Sequence, residues 1–242
     1  MSLEYSDLHL CPDENNIKKA QDMILNASKL GYVKIAISYP ENHSKDIIMK
    51  LNRVATKVGI DLASRLDLNP KTRRELMNGL RKNRRKFEII SVICQSKLIA
   101  RKAATDRRVD LLNFSPTDPR KRFFDESEAR LASSAVAAYE IDIKPLLLAE
   151  RIERMRLLST LRKEVCIAHK FRVPIVISSG ATNKYLMRNP RENIALTLLF
   201  DIKKEDSIKA ISKNPATIIE RNREKMKANF LAPGIRIIKE LE

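Results

Sequence analysis

The sequence predicts an α/β fold in which parallel strands, each followed by a helix, close into a barrel. Three observations lead there. Seven short apolar or alternating runs are each followed by a segment of helical period through a short connection, an order that demands parallel strands with right-handed crossovers. An open, doubly wound nucleotide binder would normally carry a Gly-x-Gly-x-x-Gly turn after the first strand, and that turn is here Cys11-Pro12-Asp13-Glu14, which favours the barrel. No Ser/Gly-rich linker, repeat or low-complexity tract interrupts the pattern, so residues 1–242 read as one domain with a helical C-terminal extension from about residue 203.

The elements follow in order. Tyr5–Leu10 reads as a strand, Asp13 to about Leu30 as a helix ending at Gly31, and Tyr32–Tyr39 as a second strand. Ser44–Val58 forms a helix stopped at Gly59, and Ile60–Leu68 a third strand. Helix 70–81, strand Phe87–Cys94, helix 96–105, strand Val109–Phe114, helix 126–134 and strand Val136–Ile143 come next. A long helix over about 150–170 leads into Val173–Ser178, whose β-branched run reads as a strand buried on both faces. Beyond it lie helices Lys203–Ser212 and Pro215–Ala228, and a GIRII segment at 234–238 that adds a further strand. Asn69-Pro70, Asn189-Pro190 and Asn214-Pro215 each place a capping Asn before a Pro at the first helical position. Asp125-x-x-Glu128 and Asn189-x-x-Glu192 resemble capping boxes.

Charge dominates the composition. The 47 Lys and Arg against 30 Asp and Glu give a net charge of +17, a field that attracts polyanions. An amphipathic membrane anchor would want Trp or Phe on its apolar face, and there is no Trp. Three widely spaced Cys, at positions 11, 94 and 166, fit a reducing compartment better than a disulfide framework. The amino-terminal stretch carries no apolar run of signal-peptide length and no segment reaches about 20 apolar residues, so an intracellular, cytoplasmic, soluble protein is expected.

The basic residues are clustered. KTRRELMNGLRKNRRK, residues 71–86, carries eight basic side chains against one acidic. Further clusters are Arg101, Lys102, Arg107 and Arg108; Arg120, Lys121 and Arg122; Arg151, Arg154, Arg156, Arg162 and Lys163; and Arg188 with Arg191. On the long helix, Leu157, Leu158, Leu161, Val165 and Ala168 share an arc that should face the barrel. Arg154 falls in the same arc, so either the helix begins after it or Arg154 turns toward a site at the barrel mouth. Helical DNA-reading modules are not evident, and aromatics are too few for single-strand stacking platforms. Backbone recognition of a structured RNA fits best. The loop 82–86 precedes a strand and so lies at the opposite rim from Ser178–Thr182.

Candidates for chemistry are few. Asp7 and His9 occupy alternate positions of the first strand and should point to one side, with His43 and Asp67 near later strand ends. A metal-dependent phosphoesterase using Asp7, His9 and Asp67 is the alternative these residues leave open. His169 reads as a partner of a helix carboxyl terminus. Ser178 and Ser179 lack a Gly-x-Ser-x-Gly elbow, and Gly180-Ala181-Thr182 offers no carboxylate, His or Cys where a strand-end catalyst is expected.

Taken together, YSDLH at 5–9, DRRVDLLNF at 106–114, DESEARLA and AYEID within 125–142, RMRLLSTLRKEV at 154–165, VPIVISSGAT at 173–182, RNPRE at 188–192 and PATIIERNR at 215–223 carry a family resemblance. The chain resembles archaeal ribonuclease P protein component 3, the family of the eukaryotic 30-kilodalton subunit of nuclear ribonuclease P and MRP. The resemblance implies a distorted TIM-like barrel related to the polymerase-and-histidinol-phosphatase class of phosphoesterases. It implies an accessory subunit of the ribonucleoprotein that removes 5′ leaders from precursor tRNA, with the RNA and its Mg²⁺ performing the hydrolysis and no cofactor on this chain. Its implied partners are the ribonuclease P RNA, other protein subunits, especially a smaller RNA-binding one, and precursor tRNA indirectly, with no membrane. Active relatives in the phosphoesterase class carry a His-x-His pair on the first strand and an Asp-x-His pair after a late one. Here His9 is followed two residues on by Cys11, and Gly180 and Thr182 stand where ligands would be. The resemblance therefore implies a vestigial strand-end site at Asp7, His9, Ser178, Ser179 and Gly180, with neither catalytic residues nor bound metal. For RNA contact, charge clustering selects Arg81, Arg84 and Arg85, and clustering with proximity to family motifs selects Arg107, Arg108, Arg154, Arg162, Lys163, Arg188 and Arg191.

Overall fold

The computed structural model describes residues 3–13, 16–114, 122–232 and 235–236. Seven parallel strands lie in sequence order: β1 (Tyr5–Leu10), β2 (Tyr32–Ser38), β3 (Asp61–Leu68), β4 (Ile89–Cys94), β5 (Leu111–Phe114), β6 (Ala138–Asp142) and β7 (Ile175–Ser178). The ring is nearly closed: a parallel bridge joins Leu10 to Ala181, and the Cys11 amide donates to the Ala181 carbonyl at 2.8 Å. The architecture is thus the expected α/β barrel of parallel strands, distorted because it has seven strands and a short seam where β1 meets the end of β7.

Helices follow the strands: α1 (Ile17–Leu30), α2 (Lys45–Lys57), α3 (Arg73–Asn83), α4 (Lys97–Thr105), α5 (Glu126–Ser134), the short α6 (Lys144–Leu148), the long α7 (Arg151–Lys170), α8 (Pro190–Thr197), α9 (Lys204–Ile211) and α10 (Lys213–Met226). Gly31 ends α1 in the left-handed conformation at φ 90°, its amide reaching Ala27 and Ser28 carbonyls, a C-cap that favours Gly. Asn189 caps α8 within a complete capping box with Glu192. Two expected Asn caps are corrected. Thr72, not Asn69, caps α3, its hydroxyl accepting from the Glu75 amide at 3.2 Å, three residues further from the end of β3. Asn214 lies inside α10 and donates to the Ile175 carbonyl at 2.7 Å, tying that helix to β7. Asp125 caps α5 through the Glu128 amide, but its own amide bonds to Phe123, so the reciprocal half of that box is missing. The GIRII segment contributes Ile235–Arg236 as β9, which pairs antiparallel with β8 (Phe230–Ala232) outside the barrel; the rest of it lies outside the described residues.

Apolar packing divides into an outer shell between strands and helices and a small inner layer. The inner layer joins Leu8, Ala36, Ala63, Ile89, Leu111, Ala138 and Val176 to Ile218 and Ile219 of α10. Alanines on three of the strands leave room for the two isoleucines, so α10 stoppers the N-terminal end of the barrel. Side chains just beyond the stopper fasten it: Arg221 reaches Asp110 at 2.9 Å and the Val136 carbonyl, Asn222 the Glu88 carbonyl at 2.8 Å, and Arg223 both Asp61 and Glu88. On α7, Leu157, Leu161, Val165 and Ala168 are buried as expected. Among the described residues no helix is long and apolar enough to cross a membrane.

Candidate functional site

Above the inner apolar layer, the two-residue period of the strands continues inward with polar groups. Two steps beyond Ala36, Ala63, Ile89, Leu111, Ala138 and Val176 stand Ser38, Arg65, Ser91, Asn113, Glu140 and Ser178. Arg65 and Glu140 are fully buried and meet through two parallel hydrogen bonds of 2.5 and 2.7 Å. Arg65 also donates to Asp67 at 2.8 Å and to the Leu8 carbonyl at 2.8 Å. Ser178 donates to Glu140 at 2.7 Å, and Asn113 bridges Glu140 and Asp142 at 2.9 Å each. One step nearer the mouth, His9 sits between two carboxylates, Nδ1 at 2.7 Å from Asp142 and Nε2 at 3.3 Å from Asp67.

Electrostatics fix the charge states. Burial and the Arg65 guanidinium oppose a charged His9, but Asp142 and Asp67 outweigh them and raise its pKa well above the ordinary value, which favours the imidazolium. Burial would raise the Asp67 carboxyl, yet Arg65 and His9 hold it far below the usual carboxylate range. Asp142 is lowered likewise, against burial, by His9 first and Arg65 after it. Buried charges survive only when paired and hydrogen-bonded, and here two fixed cations face three carboxylates.

Asp7 does not join this ring. Its Oδ1 accepts from the backbone amides of His9 at 3.2 Å and Ser179 at 2.9 Å, stitching β1 to the end of β7. Its Oδ2 has no hydrogen-bond partner, and burial raises its pKa. The expectation that Asp7 and His9 act from one side fails because β1 is irregular between Asp7 and Leu10, where its pairing register with β2 shifts. Ser179 likewise serves the seam, donating to the His9 carbonyl at 3.2 Å and accepting from the Ala181 amide at 3.1 Å. Gly180 is pressed against Asp142: a Cβ there would lie 2.9 Å from the Asp142 carboxyl carbon.

Among the described residues, two groups could hold a metal ion, His9 with Cys11 and Asp67, and His9 with Glu140 and Asp142, their ligand atoms lying within 4.8 Å of one another. In both, the His9 and carboxylate donors already have partners. Both His9 nitrogens face carboxylates, and both Glu140 oxygens accept from Arg65. A divalent ion needs a neutral imidazole, whereas the two carboxylates flanking His9 favour its protonated form. The donor set fits an internal ion network rather than a metal cage.

The candidate RNA-binding cations separate into three kinds. Arg84, Arg85, Arg107 and Arg108, twenty-odd residues apart in sequence, converge at the N-terminal rim in one cleft of about 530 Å³. Arg81 is exposed on the last turn of α3 just before them. Within the cleft, Arg84 is committed to Asp110 and to the Arg108, Phe87 and Glu88 carbonyls, and Arg108 clasps Asp106 at 2.8 Å. The C-terminal end of α10 supplies Lys225 and Lys227 to the same cleft, residues that clustering alone did not select.

Elsewhere, Arg154, Lys163 and Arg191 are exposed, while Arg162 donates to the Leu199 carbonyl at 3.0 Å and Arg188 to the Tyr185 and Met187 carbonyls. Since α7 starts at Arg151 and its first six residues are all exposed, Arg154 neither precedes the helix nor reaches the mouth. Arg122 of the 120–122 cluster is buried against Glu164 and Tyr139; Arg120 and Lys121 lie outside the described residues.

Residues 4–227 match the family model described as RNase P subunit p30. Ribonuclease P protein component 3 of Methanosarcina barkeri is 30% identical over 223 residues, 89% of this chain and 88% of that protein. The Methanocaldococcus jannaschii protein of the same name is 29% identical over 228 residues, covering 94% and 97%. A chain in the cryo-EM structure of archaeal ribonuclease P with mature tRNA superposes with a TM-score of 0.84 at 27% identity, covering 97% of this chain and 99% of that one. A dihydroorotase from Campylobacter jejuni, at 11% identity and a TM-score of 0.54, shares the barrel fold alone.

Proposed function

The chain belongs to the RNase P subunit p30 family, and from that premise we propose that it braces the catalytic RNA of ribonuclease P without performing phosphodiester cleavage itself. It is a ribonuclease P protein subunit, working in tRNA 5′ maturation. One observation carries the bracing role: the strand-end carboxylates of the barrel are consumed by Arg65 and His9, while the opposite rim presents a cleft lined by six Lys and Arg and no acid. Fixed cations on a folded scaffold neutralise RNA phosphates and release counterions, lowering the demand for diffuse Mg²⁺. The Mg²⁺ of the reaction belongs to the RNA, and this chain holds no metal of its own. Its partners are the ribonuclease P RNA and the other protein subunits, among them a smaller RNA-binding one, with precursor tRNA engaged indirectly in the cytoplasm. A metal-dependent phosphoesterase on Asp7, His9 and Asp67 is not favoured, since Asp7 serves the backbone seam. Reconstitution tests the proposal: the purified chain leaves precursor tRNA intact, and adding it to the RNA and partner proteins raises cleavage at low Mg²⁺. Cleavage by the chain alone, or no effect on the assembled enzyme, would refute it.

A further inference from the structure

The cleft at the N-terminal rim is larger and chemically richer than a phosphate site. Its volume of about 530 Å³ lies within the range of small-molecule sites. Its walls come from three distant segments: the end of α3, the α4–β5 loop, and the end of α10 leading into β8. Arg84 and Arg108 are spent on carboxylates and carbonyls that hold those walls. Arg85, Arg107 and Lys225 make no salt bridge among the described residues, so unpartnered positive charge gathers there. Partial burial and the neighbouring Arg221, Arg84 and Arg107 guanidiniums lower the Lys225 pKa against the opposing Asp110 carboxylate, the mark of like charges crowded together.

Two further features are not those of a phosphate site. Asn222 is 1% exposed and lines the cleft; its amide nitrogen is fixed on the Glu88 carbonyl, while its Oδ1 has no hydrogen-bond partner. An orphaned buried acceptor is costly, and phosphate at neutral pH, chiefly an acceptor, is a poor match for it, whereas every nucleobase offers an N–H. Phe230, half-buried, and Met226 line the same cleft, supplying an apolar surface of which one part is a π-face.

We propose that this cleft receives a single unpaired nucleotide of the ribonuclease P RNA, its phosphate held by Arg85, Arg107 and Lys225, its base lying on Phe230 with an N–H donated to Asn222 Oδ1. The inference rests on the subunit role above and deepens it. Stacking on one aromatic is sequence-tolerant and strong enough to matter, so a protein poor in aromatics needs only this one.

The test uses the holoenzyme assembled from the full chain, the RNA and the other protein subunits. With Phe230→p-benzoylphenylalanine, irradiation should cross-link the chain to one or two unpaired nucleotides; cross-links to paired RNA or to another protein subunit would overturn the proposal. In RNA binding, Phe230→Ala should weaken affinity about five- to a hundred-fold without changing the salt dependence. Arg107→Ala should reduce the log–log salt slope by nearly one. Phe230→Leu separates stacking from packing: it should bind as weakly as Phe230→Ala, and recovery to wild-type affinity would overturn the base contact. Unchanged affinity in Phe230→Ala with wild-type stimulation of cleavage would sink the cleft while leaving the subunit role intact; absence of stimulation by the wild-type chain would sink the subunit role itself.

Discussion

Arg65 and Glu140, on strands three apart in the sheet order, meet across the interior of the barrel through two parallel hydrogen bonds of 2.5 and 2.7 Å, both side chains fully buried. A guanidinium is the only side-chain cation with the flat fork that such a pair requires. It stands among three carboxylates, Asp67, Glu140 and Asp142, and its charge together with that of His9 offsets theirs within the network.

Removing one partner of this pair should therefore cost far more than replacing both. Arg65→Met leaves Glu140 buried and is expected to destabilise the chain by about 3–5 kcal/mol, whereas Arg65→Met combined with Glu140→Leu should recover much of that loss. Denaturant unfolding of the two single variants and the double variant measures the coupling. Additive losses would show that the two side chains act independently.

His9 makes stability depend on pH in a definite direction. Its folded pKa is raised, so the folded chain binds more protons than the unfolded one above the ordinary histidine value of 6.5. The contribution is complete below that value and is lost as pH rises through the folded pKa, at a slope of at most about 1.4 kcal/mol per pH unit. His9→Gln should cost about 1.5–3 kcal/mol near pH 6 and progressively less in alkali. Unfolding free energies at several pH values check this, and a gap between wild type and variant that stays constant with pH would contradict it.

Much of the barrel was legible because its local rules agree. Strand β1 and helix α5 fall within their expected ranges, and the Gly31 and Asn189 caps sit where hydrogen-bonding needs place them. The interior network was less visible, although its trace is in the strands: Arg65 in DLASRLDL and Glu140 in AYEID are charges in the middle of short strands buried by the helices around them. Reading charge only as surface clusters hid them, since a cluster count rewards Arg120–Arg122 and passes over a solitary Arg65. The same bias selected Arg84, Arg108 and Arg188, whose guanidiniums are committed to carboxylates or carbonyls. Lys225 and Lys227 were missed because only the fold of α10 against the barrel base brings them to Arg85 and Arg107.

Glu128 supplies a second titration. It is 1% exposed, one carboxyl oxygen lacks a partner, and burial, aided by the Asp125 carboxylate, pushes its pKa up to about 8. The folded chain thus holds a proton that the unfolded chain releases above about pH 4.5, and stability falls between that pH and about 8 by at most roughly 1.4 kcal/mol per unit. Glu128→Gln, which mimics the neutral acid, should remove this fall and leave the variant more stable than wild type at pH 9. Thermal unfolding across the range measures it, and a variant less stable than wild type at pH 9 would refute the assignment.

Gly180 is fitted to the ion network through its contact with Asp142. Its φ of 60° is left-handed, and a Cβ at this position would meet the Asp142 carboxyl carbon at 2.9 Å. Asp142 is held in place by His9 at 2.7 Å and Asn113 at 2.9 Å, so it has little freedom to yield. Any side chain at 180 would be strained by its backbone and would push Asp142 off His9. Gly180→Ala is accordingly expected to lower stability by about 1–3 kcal/mol and to lower the His9 pKa, because the carboxylate that raises it most is displaced. NMR titration of the His9 ring separates this from simple strain: loss of stability with an unchanged His9 pKa would mean that Asp142 had kept its place and that the backbone alone explains the glycine.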